Sequence, residues 1–103
     1  MKERHYAVIF SNQLQLQDDV FYQQLSADLR RLAESQPGYL GLESYRNPDG
    51  AGVTISYWKT QDDVLAWRKN AEHQVAQHYG KEKAYAHYSV KVCEVVRSYG
   101  TEL

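Results

Sequence analysis

One cysteine, two prolines, six glycines and no block of like charge are what this 103-residue chain has least of, and each scarcity removes a class of protein. The lone Cys93 can form neither an intramolecular disulfide nor a cysteine-rich zinc site, so the chain is expected to work in a reducing compartment. Twelve basic residues stand against 13 acidic ones, for a net charge of −1, and the densest basic stretch, Lys81-Glu82-Lys83, is interrupted by an acid. Nucleic-acid binding needs clustered Lys and Arg to displace counterions, so no nucleic-acid partner is expected. Near the N-terminus the apolar run from Tyr6 to Phe10 is too short for a signal h-region or a membrane span. The reading is a soluble, cytoplasmic protein with no membrane partner.

The same scarcities exclude several chemistries. Gly38-Tyr39-Leu40-Gly41 leads into a strand rather than a helix, so it is not a phosphate-binding loop. No Ser-His-Asp order accompanies a nucleophile-elbow glycine pattern. His73 and His78 lie five apart, whereas helical metal ligands want three or four, so no metal site is expected. Cys93 sits mid-strand, where an inert thiol is the expected state.

What is abundant is aromatic: nine Tyr, two Phe and two Trp. A chain of this length forms one domain, over residues 1–103, and buries roughly two-thirds of its unfolded surface, enough to fold without staples. Tyr6-Ala7-Val8-Ile9-Phe10 reads as a strand ending near Asn12. Phe21, Leu25, Leu29 and Leu32 recur at helical spacing behind Asp18 and Asp19, and Pro37-Gly38 stops that helix, giving about 18–36. Strands over Tyr39–Arg46 and Gly52–Trp58 flank the turn Asn47-Pro48-Asp49-Gly50. Thr60-Gln61-Asp62-Asp63 starts a second helix carrying Val64, Trp67, Ala71 and Val75 on one face. Asn70 is a candidate second cap interrupting it, with a helical stretch running on toward Tyr85 past Gly80. Tyr88 to Tyr99, rich in valine, is the last strand.

The order β-α-β-β-α-β is the ferredoxin-like α+β arrangement, an antiparallel sheet with both helices on one face. Such a sheet alternates apolar and polar residues when its other face meets water. Here strand one is apolar at Ala7 and Ile9 as well as at Tyr6, Val8 and Phe10, and the last strand carries Cys93 and Val95 as well as Val90, Val92 and Val96. The second face therefore needs a cover, and the expectation is a homodimer packing sheet against sheet through a twofold interface.

Four stretches are similar to one family: Gln36-Pro37-Gly38-Tyr39-Leu40-Gly41-Leu42-Glu43-Ser44, Ile55-Ser56-Tyr57-Trp58, Ala66-Trp67-Arg68-Lys69-Asn70-Ala71-Glu72-His73, and Gly80-Lys81-Glu82-Lys83-Ala84-Tyr85 followed by Tyr88. Together they resemble the antibiotic biosynthesis monooxygenase domain family of dimeric α/β-barrel proteins, over Val8 to Tyr99. The resemblance implies one of three activities: oxidation of aromatic polyketides or quinols by O2 without metal or flavin, haem binding and degradation, or ligand binding without catalysis. It implies that Trp67 walls a pocket between sheet and helices. Asp63 stands where some polyketide oxygenases carry Asn. The haem-degrading pattern, an Asn on strand one, the same Trp and a His ten residues later, matches Asn12 and Trp67 but puts Gln77 at the third place, with His78 one position off, about 100° around a helix.

Read from the residues themselves, Trp67 belongs to an apolar stripe and packs into the core, which a pocket role does not contradict. A histidine titrating near neutrality suits deprotonation of a phenol, the step that makes a substrate electron-rich enough to hand an electron to O2; His73 is the candidate, with His78 and His87 as alternatives. Asn12 would orient substrate or oxygen, and Phe10, Tyr45 or its neighbour Ser44, Asp63, Tyr85 and Tyr88 would line the cavity. The leading reading is thus a homodimeric oxidoreductase acting on a small aromatic molecule with no cofactor; the alternatives are a haem-dependent one and a non-catalytic binding dimer.

Overall fold

The computed structural model describes residues 4–14, 20–79 and 85–101. Its elements follow the expected order: β1 (His5–Leu14), α1 (Val20–Ser35), β2 (Tyr39–Arg46), β3 (Ala51–Trp58), α2 (Gln61–Tyr79) and β4 (Tyr85–Val95). The four strands form one antiparallel sheet in the order β2-β3-β1-β4. The ten-residue β1 is therefore interior, where its β-branched and aromatic residues have neighbours on both sides.

Each boundary has a local cause. Gly38 takes a φ of 81°, a left-handed conformation that a side chain resists, and lets the chain leave α1 after Pro37. The Gln36 amide closes on the Ala33 carbonyl at 3.1 Å as the last turn tightens. In the β2–β3 hairpin Gly50 has a φ of 93°, the Asn47 amide donates to the Ala51 carbonyl at 2.7 Å, and the Ala51 amide donates to the Asp49 carboxylate at 2.9 Å. Thr60 caps α2, its hydroxyl accepting from the Asp63 amide at 3.1 Å while Asp62 and Asp63 occupy the first turn.

Three expectations change. Helix α2 runs unbroken through Asn70, whose amide donates to the Ala66 carbonyl at 3.1 Å and to the Gln36 side chain at 3.0 Å. Asn70 thus ties α2 to the end of α1 instead of capping a new helix, because bonding back to the carbonyl four residues earlier is open to an asparagine inside a helix. Tyr85 begins β4 rather than ending a helix, and it pairs with Leu14 beyond a register shift; Gly80 to Ala84 lie outside the described residues. Tyr99 falls past the end of β4 at Val95 and is 86% exposed.

Direct pairing assigns side chains to faces, since residues opposite one another share a face. Tyr6, Val8, Phe10 and Asn12 of β1 lie on the helix side with Trp58, Ser56, Thr54 and Gly52 of β3 and Glu94, Val92, Val90 and Tyr88 of β4. Between sheet and helices a core of Val8, Ala33, Trp58 and Val64 collects Tyr6, Tyr39, Leu42 and Trp67 around it. Trp58 is fully buried and donates its indole N–H to the Ser56 hydroxyl at 2.9 Å, which satisfies two buried polar groups at once. Trp67 stacks on it at 5.5 Å and 23°, and Tyr39 meets it edge-on at 5.7 Å. Among the described residues no helix is long and apolar enough to cross a membrane.

Candidate functional site

The helix side of the sheet divides into two ends. At the first, α2 leaves β3 and its early residues lie over Trp58, so Trp67 joins the aromatic stack there as a partly buried wall. An open cleft of about 290 Å³ borders this end, lined by Arg4, Tyr6, Lys59, Thr60, Gln61 and Asp62. None of the sequence-predicted site residues lines it.

The second end lies six residues along β1, roughly 20 Å by strand rise. There Asn12 sits on the helix side, 6% exposed, opposite Tyr88 on β4 and Gly52 on β3. Its amide nitrogen makes only a long 3.4 Å contact to the Phe10 carbonyl, and its Oδ1 is buried with no hydrogen-bond partner among the described residues. Leaving such an acceptor unpaired costs about 1–3 kcal/mol. Beside it the Phe10 and Tyr88 rings meet at 5.7 Å and 59°. Tyr88 is 65% exposed and Val90 and Val92 about half, and among the described residues the helices pack over β2, β3 and β1. Phe10, Asn12 and Tyr88 therefore form one group: a buried acceptor next to an accessible aromatic and valine floor.

The remaining candidates divide. Tyr45 is not on the helix side at all: it pairs with Val53, on the opposite face, and donates its hydroxyl to Glu43 at 3.0 Å. The strand's two-residue period puts Ser44, not Tyr45, on the helix side, and Ser44 shares a 2.8 Å hydrogen bond with Thr54 there. Asp63 lies over the turn after α1, where its carboxylate fills the space a side chain on Gly38 would need, so it is engaged at the junction of α1, β2 and α2. His73 is exposed on the unbroken α2 rather than in a first helical turn. The backbones of His78 and Tyr85 belong to α2 and β4, but their side chains lie outside the described residues. Trp67 and Asn12 do not hydrogen-bond to each other.

Sequence reasoning passed over Glu43. Its two carboxylate oxygens accept one phenol each, from Tyr45 at 3.0 Å and Tyr57 at 2.7 Å, and these hydrogen bonds to Glu43 raise both tyrosine pKa values above the ordinary range. The turn Asn47–Gly50 fixes the hairpin register that sets Glu43 beside the strand carrying Tyr57, so the signal was present in the turn length. The partner of Trp58, Ser56, left no such signal.

Because α2 is continuous through 77 and 78, Gln77 and not a histidine stands ten residues after Trp67. Among the described residues no three His, Cys, Asp or Glu side chains gather to hold a metal ion.

Residues 16–79 match the family model described as antibiotic biosynthesis monooxygenase. An uncharacterised protein of Bacillus subtilis, YqjZ, is 42% identical over 93 residues, covering 90% of this chain and 81% of that protein. A jasmonate monooxygenase of Pyricularia oryzae is 25% identical over 95 residues, covering 90% of this chain; the chain spans only 44% of that protein's length. Among solved structures, SnoaB, a cofactor-independent oxygenase from Streptomyces nogalater, superposes with a TM-score of 0.74 at 12% identity, covering 91% of this chain and 95% of that one. The haem-degrader MhuD from Mycobacterium tuberculosis, solved with two haems bound in its active site, gives a TM-score of 0.67 at 16% identity, covering 92% and 99%. At these identities the likeness extends to the fold alone.

Proposed function

The chain belongs to the antibiotic biosynthesis monooxygenase family, and on that premise we propose that it oxidises a small aromatic or quinol-like molecule with O2, without metal or flavin, at the Phe10–Asn12–Tyr88 end of the sheet. The observation that carries the reading is the Oδ1 of Asn12, buried and without a partner among the described residues. A buried acceptor without a donor is costly to keep, and a phenolic O–H is a donor of the right kind. Phe10 and Tyr88 offer ring faces against which an aromatic substrate stacks, and the uncovered side of β4 gives it a way in.

The chemistry asked of the protein is modest. A phenol bound to Asn12 loses its proton to water or to a base at the rim, and the electron-rich anion passes an electron to O2. For a substrate with a methylene between aromatic rings, one oxygen atom enters as C=O and the other leaves as water; the two C–H bonds supply the electrons and protons that reduce it. Asn12 orients the substrate on the apolar floor. His73, exposed on α2, remains the candidate for proton transfer among the described histidines on that helix. The lone Cys93 supports a cytoplasmic, reducing setting.

The test is oxygen uptake by the purified protein over a panel of quinols and anthrones, with isotopically labelled O2 and product analysis. Uptake above the protein-free rate, one labelled atom in the product, and loss of activity in Asn12→Ala but not in Tyr45→Phe on the opposite face are expected. No uptake with any member, or equal uptake by Asn12→Ala, overturns the reading. A Soret shift on adding hemin that disappears in His78→Ala points to the haem-dependent chemistry instead.

A further inference from the structure

The register row that holds Asn12 brings a cation to it from β2. Arg46 of β2 pairs with Gly52 of β3, Gly52 with Asn12 of β1, and Asn12 with Tyr88 of β4, all on the helix side. The half-buried Arg46 folds its side chain across Gly52: a Cβ placed on Gly52 would stand 2.6 Å from both Cζ and Nη1 of the guanidinium. Gly52 is not among the glycines of positive φ, so its backbone admits other residues, and the missing side chain is what makes room for the cation. Nη1 donates to the Gly50 carbonyl at 2.7 Å, and the same carbonyl accepts from the amide of Leu14, two residues on from Asn12 in β1, at 3.1 Å. The guanidinium is thereby anchored toward β1, beside the end of the sheet where Asn12, Phe10 and Tyr88 gather.

From this arrangement we infer that Arg46 holds a carboxylate beside the hydroxyl that Asn12 receives, which makes the ligand of this end a hydroxy-substituted aromatic acid. The inference rests on the reading above for the place of the ring and goes beyond it in naming what the ring carries. Side chains facing each other on neighbouring strands have Cβ atoms about 4.5–5.5 Å apart, so a group lying where Gly52 would put its Cβ stands one strand from Asn12. Hydrogen bonds of about 2.9 Å from either side close that gap onto two oxygens of one ring. The buried Oδ1 of Asn12 offers an acceptor and the guanidinium offers only donors. The pair therefore distinguishes a hydroxyl at one position from an anionic oxygen at the other. A guanidinium is a planar fork that matches the two oxygens of a carboxylate, which favours a carboxylate over a second phenolate. The rings of Phe10 and Tyr88 take the ring itself.

Bracing the hairpin is a separate service of the same side chain. The bond to the Gly50 carbonyl could be made by a neutral donor of the same length, and it fixes the guanidinium without drawing on its charge. What the charge adds is discrimination, because hydrogen bonds between ionised partners are roughly twice as strong as neutral ones. Next to Asn12, which is 6% exposed, water competes for an anion less well than it does at an open surface.

Isothermal titration calorimetry on the full chain at low salt tests the inference with ortho- and meta-hydroxybenzoate, each set against its uncharged amide. The wild-type protein is expected to bind at least one of the acids about tenfold more tightly than the matching amide. Arg46→Met keeps the apolar stem and removes the charge, and should bring the acid down to the affinity of the amide. Gly52→Ala keeps the charge but drives the guanidinium from its place, and should do the same. Asn12→Leu should weaken acid and amide alike and leave their ratio within about threefold of wild type. Circular dichroism melts confirm that each variant is folded, and a purely bracing Arg46 moves the melts without moving the ratio. Equal affinity for acid and amide in the wild type, no binding of either, or a preference that survives Arg46→Met or Gly52→Ala overturns the inference. A preference for the acid without oxygen uptake on any quinol upholds the inference and removes the oxidation, whereas uptake with no preference for the acid removes the inference alone.

Discussion

Replacing Asn12 by leucine is expected to make the protein more stable and less active, and the size of the gain follows from its surroundings. Asn12 is 6% exposed and its Oδ1 has no partner among the described residues, so removing this buried acceptor returns about 1–3 kcal/mol. Among the described residues the hydrogen bond lost is the 3.4 Å contact to the Phe10 carbonyl, long enough to be worth at most about 0.5–1 kcal/mol. Leucine has nearly the same volume and suits an interior strand better than asparagine. A net gain of about 1–2 kcal/mol should raise Tm by roughly 4–16 °C for a chain of this size. Urea unfolding followed by circular dichroism reads it as a higher midpoint at unchanged slope. A midpoint below wild type would refute the reasoning, because it would mean that Oδ1 is held by a hydrogen bond in the native state and is not free for a ligand. Higher stability together with undiminished oxygen uptake would separate the strain from the function.

Trp58→Phe should cost about 2–4 kcal/mol, since it thins the aromatic stack and strands the 4%-exposed Ser56 hydroxyl; adding Ser56→Ala should recover part of the loss in the same urea assay. Gly38→Ala should destabilise by about 1–3 kcal/mol, measured by thermal melting, because it forces a side chain into a φ of 81° and onto the Asp63 carboxylate. Tyr45 and Tyr57 hold their protons more tightly in the folded state because Glu43 accepts from both. Their contribution to stability is thus whole below the ordinary tyrosine pKa of about 10 and is lost as pH rises through the higher folded values. Alkaline melts should show this decline, and Glu43→Gln should flatten it; a decline of equal steepness in that variant rules out Glu43 as its source.

Much of the architecture was legible because local signals agreed with one another. The leucine stripe of α1, the Pro37-Gly38 stop, the turn at 47–50 and the Thr60 cap each state a boundary in few residues, and the structure uses all four. Asn70 misled because asparagine caps helices as readily as it bonds backward inside one, and its contact with Gln36 is made only when α1 and α2 lie together. Among the site residues, chemistry alone left Ser44 and Tyr45 as alternatives, and one residue of strand moves a side chain to the other face.

The sequence by itself determined the order of elements and the family, since these rest on periodicity, turn residues and motifs carried within short stretches of chain. Only the tertiary structure decided that Asn12 is buried with its oxygen unpaired among the described residues, that Trp67 leans on Trp58 rather than on Asn12, and that Arg46, Gly52, Asn12 and Tyr88 stand in one row. Those facts depend on register between strands far apart in the chain and on which part of the sheet two helices leave open, and neither is written in any single segment.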